Sequence, residues 1–216
     1  MKKRKAKLFF ENAMKYMAYN FLKELKWVKE IKPFKNIKLK QFLREYCWTV
    51  YASGFKESIL EQKFDDIERA FRYFDIQEIS KMTSIKPVLR VFNNRRKARN
   101  FIKGAKKIHG EGFPKFKKRV SGEGMKVLQE LPGIGQVTKK HLARNIGLSD
   151  VAKNDIHIQR LVRHFNARDE NHLAEYLSKE SGEKKGVVDV ILWRFCTKKG
   201  WKRLGYDTLG DYIQSL

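Results

Sequence analysis

The stretch LPGIGQVTKKHLARNIGLSDVAKNDIHIQR at residues 131–160 decides the fold of this chain. Gly133 and Gly135 predict a tight turn that opens a helix, because glycine tolerates backbone angles that other residues avoid. The unpaired N–H groups of that helix N-terminus suit a phosphate oxygen. An isolated carboxylate, Asp155, follows at the start of the next apolar run. Taken singly, the turn fits an ordinary helix–turn–helix equally well, and Asp155 fits a helix N-cap.

The charge of the chain favours a polyanionic partner. Lys and Arg number 48 against 24 Asp and Glu, which gives a formal net charge of +24. Nucleic acid is the first candidate for such a surplus. We expect no membrane partner, because no apolar run reaches the roughly 20 residues that span a bilayer and no basic helix carries a lipid-facing stripe.

The cysteine count limits the metal chemistry and the compartment. Cys47 and Cys196 are too few for a four-cysteine zinc or iron–sulfur site, and they fit either two free thiols in a reducing cytosol or a single disulfide. The start, MKKRKAKLFF, lacks the long apolar core and cleavage site of a signal peptide. We therefore expect a cytoplasmic protein that associates with the nucleoid by binding DNA.

Apolar residues at steps of three and four predict an all-α chain. We predict a linker over residues 31–40 and a Gly- and Lys-rich loop over residues 109–124. The predicted helices cover residues 8–30, 41–52, 57–74, 75–82, 94–108, 125–131, 136–146, 156–166, 171–180 and 186–198.

The hairpin, its helix and the segment Asp155-x-His157-x-x-Arg160 together resemble the helix–hairpin–helix DNA glycosylase superfamily, which includes endonuclease III. Within it, EYCWTVYASGF at residues 45–55, residues 141–160 and DVILW at residues 189–193 are similar to the archaeal-type 8-oxoguanine glycosylase branch. The resemblance covers about residues 40–200.

This resemblance implies an all-α, two-lobed fold. A helical barrel lobe would span residues 40–148 and contain the helix–hairpin–helix at about residues 125–146. Residues 1–39 and 149–216 would form the second lobe. Asp155 would lie at the cleft between the two lobes.

The resemblance also makes Asp155 the catalytic carboxylate of a DNA glycosylase, which stabilises an oxocarbenium-like transition state and orients water. His157 and Arg160 would support structure and the DNA-facing surface. Val137 stands where the strand-cutting members carry the lysine that forms a Schiff base. We therefore expect a monofunctional enzyme, with Lys140, about 4.5 Å further along the helix, as the alternative amine.

Two further groups of residues are candidates for binding DNA and the flipped base. A helix N-terminus and basic side chains hold phosphates, and aromatic rings clamp a base. The DNA-binding candidates are Gly133, Ile134, Gly135, Val137, Thr138, Lys139, Ser53, Arg95, Arg96 and Lys97, with further basic residues over 94–108 and 115–119. The base-pocket candidates are Trp48, Tyr51, Phe55 and Trp193, and for each of them singly core packing is the favoured alternative.

The resemblance implies no required cofactor. It implies a monovalent cation, Na⁺ or K⁺, at the hairpin, held by the backbone carbonyls of Gln129, Leu131 and Ile134. The four cysteines of the endonuclease III iron–sulfur cluster are missing.

Three alternatives stay open on the sequence. The chain is a hydrolytic glycosylase, a glycosylase/lyase that uses Lys140, or a DNA-binding module without activity. The branch resemblance favours 8-oxoguanine, whereas the missing lysine favours alkylated purines, deaminated bases or mismatched thymine. The expected partner is double-stranded DNA with a damaged or modified base, bound by a monomer.

Overall fold

The structure is a computed structural model that describes residues 1–216. It contains no strand, and its fourteen α-helices are joined by short turns and three short 3₁₀ segments. In chain order the helices are α1 (Lys3–Asn20), α2 (Leu22–Lys29), α3 (Leu39–Ala52), α4 (Glu57–Ala70), α5 (Ile76–Lys81), α6 (Lys86–Val91), α7 (Arg95–Glu111), α8 (Phe113–Glu123), α9 (Met125–Gln129), α10 (Gln136–Asn145), α11 (Ile156–Phe165), α12 (Glu170–Ser181), α13 (Lys185–Thr197) and α14 (Leu209–Ser215). No helix is both long and apolar enough to cross a bilayer.

The chain divides into two compact units. The central unit comprises residues 32–148, and the terminal unit comprises residues 1–31 and 149–216. Each unit has a hydrophobic core of its own. The hairpin thus belongs to the central unit and Asp155 to the terminal unit.

The core of the central unit is built around α3. Buried side chains recur along this helix at the spacing of a helical face, and they meet α4, α7 and α10. Gly104 on α7 allows α7 and α3 to approach closely, since a Cβ at Gly104 would stand 2.1 Å from the hydroxyl oxygen of Tyr46 on α3. The Tyr46 hydroxyl lies 2.7 Å from the carbonyl oxygen of Pro132, to which it donates. Through Tyr46, α3 therefore anchors the hairpin.

The core of the terminal unit surrounds α13. This helix is buried on nearly every side, as expected for a helix that is apolar all round. It packs against α1, α2, α11 and α12. The ring of Phe9 on α1 meets the rings of Phe165 on α11 and Phe195 on α13 edge to face. The helix α11, which Asp155 precedes, is therefore packed against the most buried helix of the unit.

Several sequence expectations about helices are wrong. The single helix expected at residues 8–30 is interrupted at Phe21, whose φ of −139° lies outside the helical range. The loop expected at residues 109–124 is instead the end of α7 followed by α8, because Phe116 and Val120, one turn apart, are buried in the central core. Glycine and lysine content suggested a loop, but two apolar side chains at helical spacing decide the structure.

Two other differences concern helix ends and missed helices. The helix expected at residues 57–74 ends at Ala70, and Arg72, Tyr73 and Phe74 follow with positive φ. The short helices α6 and α14 were not predicted. Each has only one or two buried residues, so its apolar pattern is too short to recognise in the sequence.

Candidate active site and nucleic-acid interface

Asp155 is the N-cap of α11, as one interpretation of the sequence held. Its Oδ1 accepts hydrogen bonds from the backbone N–H groups of His157 and Ile158, both at 3.0 Å. Its other oxygen, Oδ2, lies 3.1 Å from the Nζ of Lys153. The side chain is 18% exposed. Capping thus uses one carboxylate oxygen and leaves the second to other partners.

His157 and Arg160 follow Asp155 on α11. His157 is half-buried, and burial lowers the pKa of its imidazole below the ordinary value, although Asp155 acts in the opposite direction. Burial thus favours the neutral form of the imidazole. Arg160 is exposed. These positions agree with a structural histidine and a surface arginine.

Lys153 lies beside Asp155, and the sequence analysis did not single it out. Its side chain is only 10% exposed, and its Nζ stands 4.2 Å from the centre of the Trp193 ring. Residues 151–155 have no regular secondary structure, and Asp155 has extended backbone angles. Side chains two residues apart in an extended chain point to the same side. That spacing was the one signal in the sequence that could have found this pair.

The hairpin joins α9 to α10 and presents backbone to solvent. Gly133 has a φ of +87°, and a Cβ there would meet Asn100 and Val50 at 3.2 Å. Gly133 and Gly135 are exposed, whereas Ile134 is buried. The N–H of Gly135 donates to the Thr138 hydroxyl at 2.6 Å. The exposed backbone N–H groups at the start of α10 are therefore the candidates for a phosphate contact.

Three further candidate residues of α10 differ in their surroundings: the DNA-binding candidates Val137 and Lys139, and the alternative amine Lys140. Val137 is 41% exposed. Lys139 lies 2.8 Å, through its Nζ, from the side-chain oxygen of Gln129. Lys140 is half-buried. The Val137 side chain has no amine to present to a substrate.

The N-terminus of α7 and the end of α3 lie next to the hairpin. A Cβ added at Gly133 would lie 3.2 Å from the side-chain nitrogen of Asn100. Arg96 precedes Asn100 by one helical turn, so the two side chains lie on the same side of α7. Arg95, Arg96 and Ser53 are exposed. These three DNA-binding candidates are thus exposed residues of α7 and of the C-terminal end of α3, the two helices whose Asn100 and Val50 approach Gly133.

Lys97 does not belong with them. It is 6% exposed, and its ammonium group donates to the carbonyl oxygens of Val50 and Ser53 at the C-terminal end of α3. Burial, and then the charge of Arg96, lower the pKa of Lys97 to about 8. Lys97 therefore caps a helix, and its assignment to DNA binding is corrected on this ground.

The basic residues expected to track DNA from a loop at 115–119 lie on α8 instead. The Nζ of Lys117 donates to the carbonyl oxygens of Lys35 and Ile37. Arg119 pairs with Glu111 and Glu130. These two cations already have partners within the central unit, so they add less to a DNA-binding surface than the sequence suggested.

The aromatic candidates for the base pocket separate by exposure. Tyr51 is fully buried against Phe71 and Phe92, so it is a core residue. Trp48 is half-buried and meets Phe64 edge to face at 4.9 Å. Phe55 is 42% exposed and rests against Phe92. Among the three candidates of the central unit, Phe55 has the ring most open to a base.

Trp193, on α13, has two cations beside its ring. The Nζ of Lys153 lies 4.2 Å and the guanidinium carbon of Arg194 4.9 Å from the ring centre. The ring is therefore already in contact with charged groups of its own unit. Stacking on a base would compete with those contacts.

No protein-family model matches the chain, and no curated protein matches it. Among solved structures, it is similar to the crystal structure of Methanocaldococcus jannaschii 8-oxoguanine glycosylase/lyase in complex with a 15mer DNA containing 8-oxoguanine. The TM-score is 0.57 over 93% of this chain and 99% of that chain, with 19% sequence identity. The two chains share a fold. The prediction of an all-α helix–hairpin–helix glycosylase fold is confirmed, whereas the 8-oxoguanine branch stays a prediction.

Proposed function

We propose that this protein is a DNA glycosylase that acts on a damaged or modified base in duplex DNA. The observation that carries the proposal is the shared fold with a glycosylase/lyase bound to DNA containing 8-oxoguanine. The surplus of 24 positive charges and the exposed glycine hairpin support a DNA substrate. Asp155 at the start of α11 supplies the carboxylate that the chemistry requires.

In the proposed reaction, the base leaves the helix stack and its N-glycosidic bond breaks. Positive charge then develops on the sugar, and a fixed carboxylate stabilises that charge. The Oδ2 of Asp155 is suited to this role, because Oδ1 is occupied by the two backbone N–H groups. The same carboxylate can orient or deprotonate the attacking water.

We propose that base release is hydrolytic and leaves an abasic site. Val137 cannot attack the sugar, so the hairpin offers no amine at the position where the strand-cutting members carry one. Lys140 remains the alternative amine on the same helix. Phe55 is the first candidate for stacking on the flipped base.

The other proposed features follow from the hairpin and the charge. Gln129, Leu131 and Ile134 would offer neutral carbonyl oxygens to Na⁺ or K⁺, and the Leu131 carbonyl, which accepts the Ile134 N–H at 3.0 Å, keeps a second lone pair. Such a cation would hold the turn and neutralise a phosphate, and no other cofactor is required.

We propose a monomer that is cytoplasmic and associated with the nucleoid.

The test is base release from duplex oligonucleotides that each carry one modified base. Products are resolved on a denaturing gel with and without hot alkali, and 8-oxoguanine is the first lesion of the panel. We expect strand breaks only after alkali, because water leaves the sugar–phosphate chain intact. Breaks without alkali would contradict hydrolysis and make Lys140 the first candidate amine. No breaks in either lane, together with tight DNA binding, would favour the inactive module, which the capping role of Asp155 permits.

DNA affinity should fall steeply with salt. If the protein neutralises about six phosphates, the affinity drops about 10³-fold between 50 and 200 mM salt, because counterions are released on binding. Fluorescence anisotropy with a labelled duplex measures the slope. Arg96→Ala should reduce the slope by about one unit, whereas Lys97→Met should leave it unchanged, since the Lys97 ammonium faces carbonyl oxygens. Equal reductions would contradict the structural role of Lys97.

A further inference from the structure

A buried cation lies beside the proposed catalytic carboxylate, and its role follows from how it is held. Asp155 is fixed at Oδ1 by two backbone N–H groups, which set the position of one oxygen but not the plane of the carboxylate. The Nζ of Lys153 stands 3.1 Å from Oδ2 and supplies the second point of attachment. Two attachments determine where both oxygens lie.

Lys153 contacts α13 through both its backbone N–H and its side-chain ammonium. Its backbone N–H donates to the Oδ1 of Asp189 at 3.3 Å, and its ammonium lies 4.2 Å from the centre of the Trp193 ring. A cation over an aromatic face is stabilised by the ring quadrupole, and more strongly when it is shielded from water. The ammonium is therefore held in place before any substrate arrives.

We propose that Lys153 is a positioning residue that fixes the Asp155 carboxylate for glycosidic bond cleavage, with Trp193 as the platform that holds Lys153. The inference rests on the proposed function, because it assigns a role within that reaction. It also gives Trp193 a different role from base stacking. Neither residue needs to touch the substrate.

The expected kinetic effect lies in the chemical step and not in DNA binding. Lys153 is 10% exposed, so its ammonium is poorly placed to meet a phosphate. Without it, Oδ2 loses its partner and the carboxylate plane can turn. Displacements of about 1 Å in catalytic groups reduce rates about 100-fold, so we expect a 10- to 100-fold loss in single-turnover base release.

The experiment compares Lys153→Met, Lys153→Arg and Lys184→Met on the best substrate of the lesion panel. Lys184 is an exposed lysine of the same unit and serves as the matched control. Lys153→Met should lose rate and keep DNA affinity. Lys153→Arg should recover most of the rate, because a guanidinium stacks on an aromatic ring and pairs with a carboxylate. Trp193→Leu should lose rate in the same direction as Lys153→Met.

Four outcomes would overturn the proposal. Lys153→Met could release base as fast as Lys184→Met, or faster than the wild type. It could also lose DNA affinity in proportion to rate, which would assign Lys153 to phosphate binding. Failure of Lys153→Arg to recover more rate than Lys153→Met would equally contradict a role for the cation.

A measurement without substrate separates this inference from the proposed function. Thermal unfolding of Lys153→Met, Asp155→Asn and the double variant forms a double-mutant cycle. If the ammonium and the carboxylate interact, the fall in Tm of the double variant is smaller than the sum of the two single falls. Additive falls would refute the pairing even in an active enzyme. Coupling in a protein that releases no base would refute the proposed function instead.

Discussion

Asp155→Asn should reduce base release by about 10²- to 10³-fold, the loss typical when one preorganised electrostatic contact to a transition state is removed. The substitution removes the charge and keeps the shape. Asparagine caps helices as well as aspartate does. Its side-chain oxygen can therefore keep the hydrogen bonds from the N–H groups of His157 and Ile158.

The measurement is single-turnover base release at saturating enzyme, with DNA affinity and Tm recorded for the same preparations. DNA affinity should change little, whereas Tm should fall modestly, because the cap is preserved but the Lys153 ammonium loses the charge of its partner. Asp169→Asn is the matched control, since Asp169 caps α12 of the same unit through the N–H of His172. Full activity of Asp155→Asn would leave Asp155 with the capping role alone and would refute the proposed mechanism.

The start of α11 shows what local sequence can predict. An acidic residue before an apolar run predicts an N-cap, and Asp155 is one. The glycines of the hairpin likewise predict the turn, because Gly133 adopts a φ that other residues rarely do. These features depend on residues within a few positions of each other, so a short stretch contains the whole cause.

Lys97 and Lys153 are two residues whose surroundings the local sequence does not predict. Both look like ordinary surface lysines, yet one caps α3 from α7 and the other lies on Trp193 forty residues further along the chain. Their burial depends on which helices pack together, and the charge content of the sequence does not predict helix packing. The same reason explains α8. Its lysines suggested a loop, but Phe116 and Val120 are buried in the core of the central unit among residues far away in the sequence.

Breaking the ion pair between Glu24 and Arg194 is expected to destabilise the terminal unit strongly. Arg194 is 3% exposed, and both oxygens of Glu24 on α2 accept from its guanidinium, at 2.6 and 2.7 Å. The rings of Phe21 and Trp193 lie within 5 Å of the guanidinium carbon. Removing one partner leaves a buried charge uncompensated, so Glu24→Gln should lower the free energy of unfolding by about 3 kcal/mol.

Thermal unfolding should show this loss as a fall in Tm of about 6–12 °C for a chain of this size. Glu175→Gln is the control, because the exposed pair of Glu175 with Lys179 is worth at most about 1 kcal/mol. A fall no larger than that of the control would contradict a buried, charge-dependent contact. Glu24→Leu combined with Arg194→Met should be less damaging than Glu24→Gln, since no charge is then left without its partner.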